Sequence, residues 1–390
     1  MAVRVYLKQA WNLMKQNPLF STLYIVGTGI SIVMTMVIAI VYYVRLAPVY
    51  PETNRMRTLV VKSAKMTNDE STHSANISYA MLKDWFYSLE SAEVSTGVSG
   101  TSYARVTNDK EEIPTYARYT DENFFRVFPL VFLEGKPFTE ADRRSGIHNV
   151  VLTDSYAQQL FGTTKGVVGK NFLMDYTNVK VVGVVKSGSF LTPDSYAQVY
   201  LPYSCRDGYD DEGSHWALGG YRVYILMKES KSVTDVQDEV LELVRKFNVS
   251  DMGDGWKLDL VGQPELYWHS TFRLWSNVAV DWGRVIWMFV GIFMALLFVP
   301  AFNLSGMISA RMERQLPDLG IRKAFGASRR RLLVQIIWEN LLLTGLGTLL
   351  GLVIAWIVLA LSGYEIFSLF EVFPKFPPKG VNLGMGIDMF

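Results

Sequence analysis

Cysteine is almost absent: the chain carries one, Cys205, in 390 residues, so no internal disulfide is available and any folded domain must stand on its packed core. Histidine is nearly as scarce. His73, His148, His215 and His269 show no metal-ligand spacing, alone or with Cys205, and a zinc site has no support. The acidic run from Asp207 to Gly213 lacks the alternating ligands of a calcium loop. A glycine-rich phosphate loop is missing as well. The nearest stretch, Gly162 to Asn171, has the wrong glycine spacing and no Ser or Thr after Lys170. The formal net charge is +1, without the excess of Lys and Arg that neutralises phosphates, so nucleic acid is not an expected partner. No Ser-x-x-Lys motif or nucleophile elbow occurs. No catalytic residue, cofactor or metal ligand is therefore nominated, and catalysis is not expected of this chain.

Charge is also missing locally, and those gaps are the strongest signal present. No Asp, Glu, Lys or Arg lies between Lys15 and Arg45, between Arg284 and Arg311, or between Glu339 and Glu365. Each gap exceeds the roughly 20 residues a helix needs to cross a hydrocarbon core, where only closed backbone hydrogen bonding survives. Three spans are read, over 19–44, 284–305 and 338–362. The first resembles a signal peptide only in position. Its apolar run is too long, and no small-x-small site follows Tyr42-Tyr43, so it reads as an uncleaved anchor.

Lys and Arg set the orientation. Arg4, Lys8 and Lys15 precede the first span, and Arg311, Arg314, Arg322, Lys323 and Arg329 to Arg331 separate the second from the third, against only Glu313 and Asp318. Both segments are expected in the cytoplasm. Residues 1–18 carry Tyr6, Leu7, Ala10, Leu13 and Met14 at helical spacing and are read as an amphipathic surface helix. Residues 306–337 become a cytosolic loop plus the start of the third helix, and residues 45–283 an external domain. Membrane lipid is thus the first expected partner.

Within the external domain, Val179–Val185 and Tyr221–Met227 are β-branched or aromatic runs typical of strands. Val236, Val240, Leu243 and Phe247 form a helical stripe, and Ser155–Phe161 is a short helix closed by Gly162. The fold class is an α-helical transmembrane bundle with a large α+β ectodomain inserted between the first and second spans. Gly27 and Ser31 in the first span, and Gly347 and Gly351 in the third, recur every four residues and suit close helix packing, within one bundle or across a dimer. Glu339 enters the third apolar run. An acid there serves either a structural ion pair or the transmission of motion.

The segment Arg311–Gly351, RMERQLPDLGIRKAFGASRRRLLVQIIWENLLLTGLGTLLG, resembles the signature of the FtsX-like/MacB-like permease family. The matching positions are Asp318 (a Glu in the family pattern), Gly320, Ile321, Arg322, Lys323, Ala324, Gly326, Ala327, Ser328 and Glu339. In the ectodomain, DENFFRVF at Asp121–Phe128, EGKPFTEAD at Glu134–Asp142 and VVLTDSYAQQLFG at Val150–Gly162 look like the periplasmic core of MacB-type permeases.

The resemblance implies an inner-membrane ABC transporter permease that works as a homodimer or heterodimer with a separate cytosolic ABC ATPase. It implies mechanotransmission to the periplasmic domain for export or extraction of a peptide, drug or lipoprotein, with a periplasmic adaptor or substrate protein as a further partner. The ATPase-coupling residues it nominates are Arg311, Glu313, Arg314, Pro317, Asp318, Gly320, Ile321, Arg322, Lys323, Phe325 and Gly326, with Pro317 starting and Gly326 stopping a compact helical segment. A plain basic topogenic loop is the competing reading. The resemblance implies four spans, whereas 363–390 reads as an external tail, so either the chain is truncated, the favoured expectation, or a partner supplies the fourth helix. Two other functions remain open: a membrane-anchored receptor or sensor, and a cell-division-type regulator of periplasmic hydrolases.

Overall fold

The computed structural model describes residues 11, 15, 18–100, 102–108, 111–189, 192–210, 216–250, 255–325 and 328–368. They fall into two compact units: helices up to Tyr43 and from Trp282 onward, and an ectodomain over Val44–Asp281. The expected amphipathic helix over 1–18 and tail over 369–390 lie outside the described residues, apart from Trp11, Lys15 and Pro18.

The helical unit is built on α1 (Pro18–Leu46), α7 (Trp282–Ala324) and α8 (Arg329–Ser368). Pro18 is tolerated at the start of α1, where its missing N–H would have no partner anyway. Inside α1, Ser31 and Thr35 turn their hydroxyls back onto the carbonyls of Gly27 and Ser31, at 3.0 and 2.9 Å, so neither is left unsatisfied in an apolar run. Two stretches, Ser21–Leu46 and Ile336–Leu361, have the length and hydropathy of membrane spans. The third, at the start of α7, is an apolar helical stretch over Trp282–Phe298 among the described residues. Large side chains such as Trp287, Phe293, Leu349 and Leu361 face outward, an arrangement that suits hydrocarbon rather than water.

Two boundaries differ from the sequence reading. The segment 306–337 is not a loop: α7 runs unbroken to Ala324 and α8 begins at Arg329. Pro317 lies inside α7 rather than at a helix start, because the flanking turns bond around the one N–H it lacks. The third helix also continues past 362 to Ser368, because no proline or glycine pair stops it there.

The ectodomain holds β1 (Thr58–Val61), β2 (Ala64–Thr67), β3 (Thr72–Ile77), β4 (Ala92–Ser99), β5 (Ser102–Asn108), β6 (Glu111–Thr120), β7 (Phe132–Gly135) and β8 (Asn149–Thr153). It continues with β9 (Asn171–Met174), β10 (Thr177–Val185), β11 (Val199–Pro202), β12 (Leu218–Gly219), β13 (Tyr221–Met227), β14 (Lys257–Asp259) and β15 (Glu265–Leu266). The helices between them are α2 (Tyr79–Asp84), α3 (Phe124–Val127), α4 (Glu140–Arg144), α5 (Asp154–Phe161) and α6 (Val233–Val249). One sheet runs β14-β2-β3-β13-β1-β15, with β4 also on β13 and β12 on β3; the other runs β7-β10-β8-β11-β6-β5-β9. The second is mixed, since β10–β8 and β11–β6 are parallel.

The strands expected over Val179–Val185 and Tyr221–Met227 lie within β10 and β13. Both are nearly continuous apolar runs because both are central, with each face covered. Helix α6 starts at a capping box, Ser232 with Asp235, and buries Val236, Val240, Val244 and Phe247. Helix α5 ends at Gly162, whose φ of 71° is the left-handed conformation glycine adopts freely. An aromatic core of Phe124, Phe125, Phe128, Tyr200 and Tyr224 joins the two sheets, with Phe124 and Phe128 centroids 4.8 Å apart.

Candidate functional site

Most of the coupling residues nominated from sequence fall on the last turns of α7. Arg311, Glu313, Arg314, Pro317, Asp318, Gly320, Ile321, Arg322 and Lys323 all lie on that helix, and Phe325 follows it with its N–H still bonded to the Ile321 carbonyl at 3.0 Å. Pro317, Ile321 and Phe325 sit four residues apart and share one face. Leu316, Ile321 and Phe325 are exposed, Phe325 at 88%. Glu313, Gly320 and Lys323 are exposed too. The last turns of α7 therefore carry an uncovered apolar stripe beside charged positions. The side chains of Arg311, Arg314, Asp318, Arg322 and Glu339 lie outside the described set, as does Gly326 entirely.

The small residues of α8 are used within this chain. A side chain at Gly347 would meet Thr28 and the Ile25 carbonyl, at 2.7 and 2.9 Å. At Gly351 it would meet the Gly29 carbonyl at 2.7 Å and Ile32 at 2.8 Å. The α1 atoms in this approach belong to Ile25, Thr28, Gly29 and Ile32, so the row is offset from the expected Gly27 and Ser31. On the same pair of helices, the Tyr24 hydroxyl lies 3.0 Å from that of Thr344.

The ectodomain contains buried charge that the sequence reading did not single out. Glu52 and Arg55 follow the first span and are almost wholly buried. One Glu52 oxygen accepts from Arg55 Nε and Nη2, at 2.8 and 2.6 Å, and the other from the Ser195 hydroxyl at 2.7 Å. Arg55 Nη1 donates to the carbonyls of Val44 and Ala47, at 2.7 and 2.9 Å. Where the chain leaves the ectodomain, Arg273 pairs with buried Glu265 and donates to the carbonyls of Val278 and Val261, at 2.7 and 2.9 Å. The available signal was a Glu and an Arg three residues apart beside the end of a span; the partners supplied by the fold were not visible.

Two buried aspartates behave oppositely. Asp194 faces Lys62 and Arg222, at 3.2 and 3.1 Å, and although burial raises its pKa, these cations and Arg118 hold it well below the usual carboxylate range. Asp121 has no such cations. Burial pushes it up to about 6, against the pull of Tyr87, Thr96 and Gly97, which donate at 2.6, 2.7 and 2.7 Å. Cys205 is half-buried, which pushes its thiol up to about 12 and leaves a poor nucleophile. Among the described residues no group of three or more His, Cys, Asp or Glu could hold a metal ion. A cavity of about 210 Å³ opens beside Ser99, Arg206, Gly208, Tyr209, Gly219, Gly220 and Tyr221.

A family model for the MacB-like periplasmic core domain matches residues 20–243, more than half of the chain, and one for the FtsX-like permease C-terminal region matches residues 287–387. The chain belongs to the MacB/FtsX-like ABC transporter permease family. Components of this family are generally non-catalytic. The permease is 22% identical over 268 residues to the macrolide export ATP-binding/permease protein MacB of Escherichia coli O157:H7, covering 67% of this chain and 39% of that protein. The same figures hold for the MacB of Shigella flexneri, so the permease spans well under half the length of these curated relatives. Among solved structures, the periplasmic region of MacB from Actinobacillus actinomycetemcomitans gives a TM-score of 0.37 at 17% identity, over 51% of this chain and 88% of that one. The extracellular domain of the noncanonic ABC-type transporter YknZ from Gram-positive bacteria gives 0.35 at 15% identity, over 50% and 99%.

Proposed function

We propose that this permease is a mechanotransmission subunit: a separate cytosolic ATPase docks on the last turns of α7, and its nucleotide-driven motion is carried through the helices to the ectodomain. The observation that carries the reading is the uncovered stripe of Pro317, Ile321 and Phe325, flanked by Leu316, on helices that continue directly into the apolar segments. Exposed apolar residues beside polar ones on one helix face fit insertion into a partner's groove. Membership of an ABC permease family supports an ATP-binding partner, and the charge pattern around 311–331 supports a cytoplasmic location for these turns. The N-terminus is then cytoplasmic and the ectodomain periplasmic, in a multi-pass inner-membrane protein working as a homodimer or heterodimer. A peptide, a drug or a lipoprotein is the cargo class, exported or extracted from the periplasmic side.

The test is co-purification with an ATPase encoded beside the permease, comparing the unchanged chain with Arg322→Glu/Lys323→Glu and with Phe325→Ser. Association that survives in the unchanged chain and drops at least tenfold in both variants supports docking there. Failure of any ATPase to associate with the unchanged chain in lipid nanodiscs sinks the transporter reading.

A further inference from the structure

We propose that Glu52–Arg55 and Glu265–Arg273 act as a paired joint of positioning residues, locking the last turn of α1 and the segment leading to α7 into the ectodomain so that helix motion is passed on. The inference rests on the mechanotransmission reading and adds the residues through which force would enter the ectodomain.

The geometry is unusual for a mere surface tether. Val44 lies in the last turn of α1, where carbonyls have lost their intrahelical partners. A guanidinium placed there completes that hydrogen bonding and complements the negative end of the helix dipole. Arg55 does so from the ectodomain, and its planar fork also holds Glu52, which in turn holds Ser195 just before β11. A chain of charge-assisted hydrogen bonds thus runs from the end of α1 to the second sheet. Arg55 also lies over the ring of Tyr267, 5.3 Å from its centre, and the Tyr267 N–H bonds the Thr58 carbonyl at 2.8 Å.

The other half repeats this logic. Glu265 lies in β15 opposite Val60 of β1, and Arg273 extends from it to the Val278 carbonyl, four residues before α7 starts. Both pairs are anchored on β1 and its neighbours, so the two ends of the ectodomain share one support. Pro48 and Pro51 lie between α1 and Arg55, and neither 45–55 nor 273–281 contains glycine.

Stability alone does not account for such pairs. Buried ion pairs lose most of their attraction to desolvation, and apolar replacements of similar volume are often neutral. What an apolar pair cannot supply is donors aimed at helix-end carbonyls. That difference makes the joint separable from the fold.

The experiment uses the full chain in lipid nanodiscs with its associated ATPase, comparing the unchanged protein with Glu52→Leu/Arg55→Met, Arg55→Lys and, as a nearby surface control, Arg57→Gln. Hydrogen exchange is followed across the chain with and without a non-hydrolysable ATP analogue. The expected result for the double variant is an unfolding temperature within a few degrees of the unchanged protein, undiminished ATPase association and at least tenfold faster exchange over 44–57. The nucleotide-dependent change in ectodomain exchange should vanish in that variant, shrink in Arg55→Lys and persist in Arg57→Gln. A double variant that keeps the full nucleotide response, or whose 44–57 amides exchange no faster, overturns the proposal. If the unchanged chain binds no ATPase, the functional reading fails and takes the transmission role with it. The exchange of 44–57 still decides whether the pairs hold the helix end.

Discussion

The ectodomain and the helical unit draw on the same apolar residue types and put them in opposite places. In the ectodomain, Phe124, Tyr200 and Tyr224 are turned inward, and charged groups that follow them inside, such as Asp194 and Arg118, find partners. In the helical unit, Trp287, Phe293 and Leu361 point outward, and the described contacts between α1 and α8 bring Gly347 and Gly351 against Ile25, Thr28, Gly29 and Ile32, with Tyr24 bonded to Thr344. The contrast follows from the solvent. Water drives apolar area together, whereas lipid tails are as apolar as leucine and leave close backbone packing to hold helices.

The comparison can be broken most severely in the aromatic core. Phe124→Ala should cost the ectodomain about 4 kcal/mol, from lost transfer energy plus an unfilled cavity, read as a drop in its unfolding transition in the full chain. Leu361→Ala, on an exposed helix face, should leave that transition unmoved. Next in size, Asp194→Asn leaves Lys62 and Arg222 without a buried counter-charge. A loss of about 3 kcal/mol is expected at neutral pH, at the low end for a broken buried pair because Arg222 keeps water access.

The two aspartates sharpen this through pH. Asp194 is depressed in the folded state, so its contribution is present above about pH 4 and drains away as pH falls below it. Asp121 is raised to about 6, so its contribution is complete below about pH 4 and lost as pH rises through its folded value. Unfolding free energy measured against pH should lose its acid limb in Asp194→Asn and its limb between about 4 and 6 in Asp121→Asn. Unchanged profiles in both variants would refute the assignment.

Smaller effects test the packing rule of each unit. Gly351→Leu drives a side chain into the Gly29 carbonyl and Ile32, and should destabilise α1–α8 packing by about 2 kcal/mol. Thermal unfolding of the detergent-solubilised chain should show that loss while the ectodomain transition stays in place. Ser232→Ala removes the cap of α6 and should cost about 1 kcal/mol, in the ectodomain transition only.

How much was legible in the sequence tracks how local each feature is. The charge-free runs, β10, β13 and the stripe of α6 depend on neighbours in sequence, and periodicity or composition reports them. The continuity of α7 was missed because Pro317 is a helix-start signal in isolation and only the flanking turns carry the helix through it. The α1 row was misplaced by one position because spacing reveals a period but not which face another helix meets. Glu52 and Arg55 were overlooked because what makes them a site, Ser195 some 140 residues away and the end of α1, is assembled only by the fold. Ile321 and Phe325 are nominated for coupling through family resemblance rather than through physics, and the structure adds only their exposure.

The length of α7 has a mechanical consequence. At 43 residues it measures about 65 Å, taking 1.5 Å per residue, while a hydrocarbon core is about 30 Å thick. On the mechanotransmission reading proposed above, roughly half of the helix would overhang the apolar layer and serve as a lever arm. With an overhang of about 30 Å, a tilt of about 10° sweeps the Phe325 end through about 5 Å, close to one helical turn. A partner that shifts by a single turn against the tip would thus be enough to rock the whole helix, and no sliding along the membrane normal would be required.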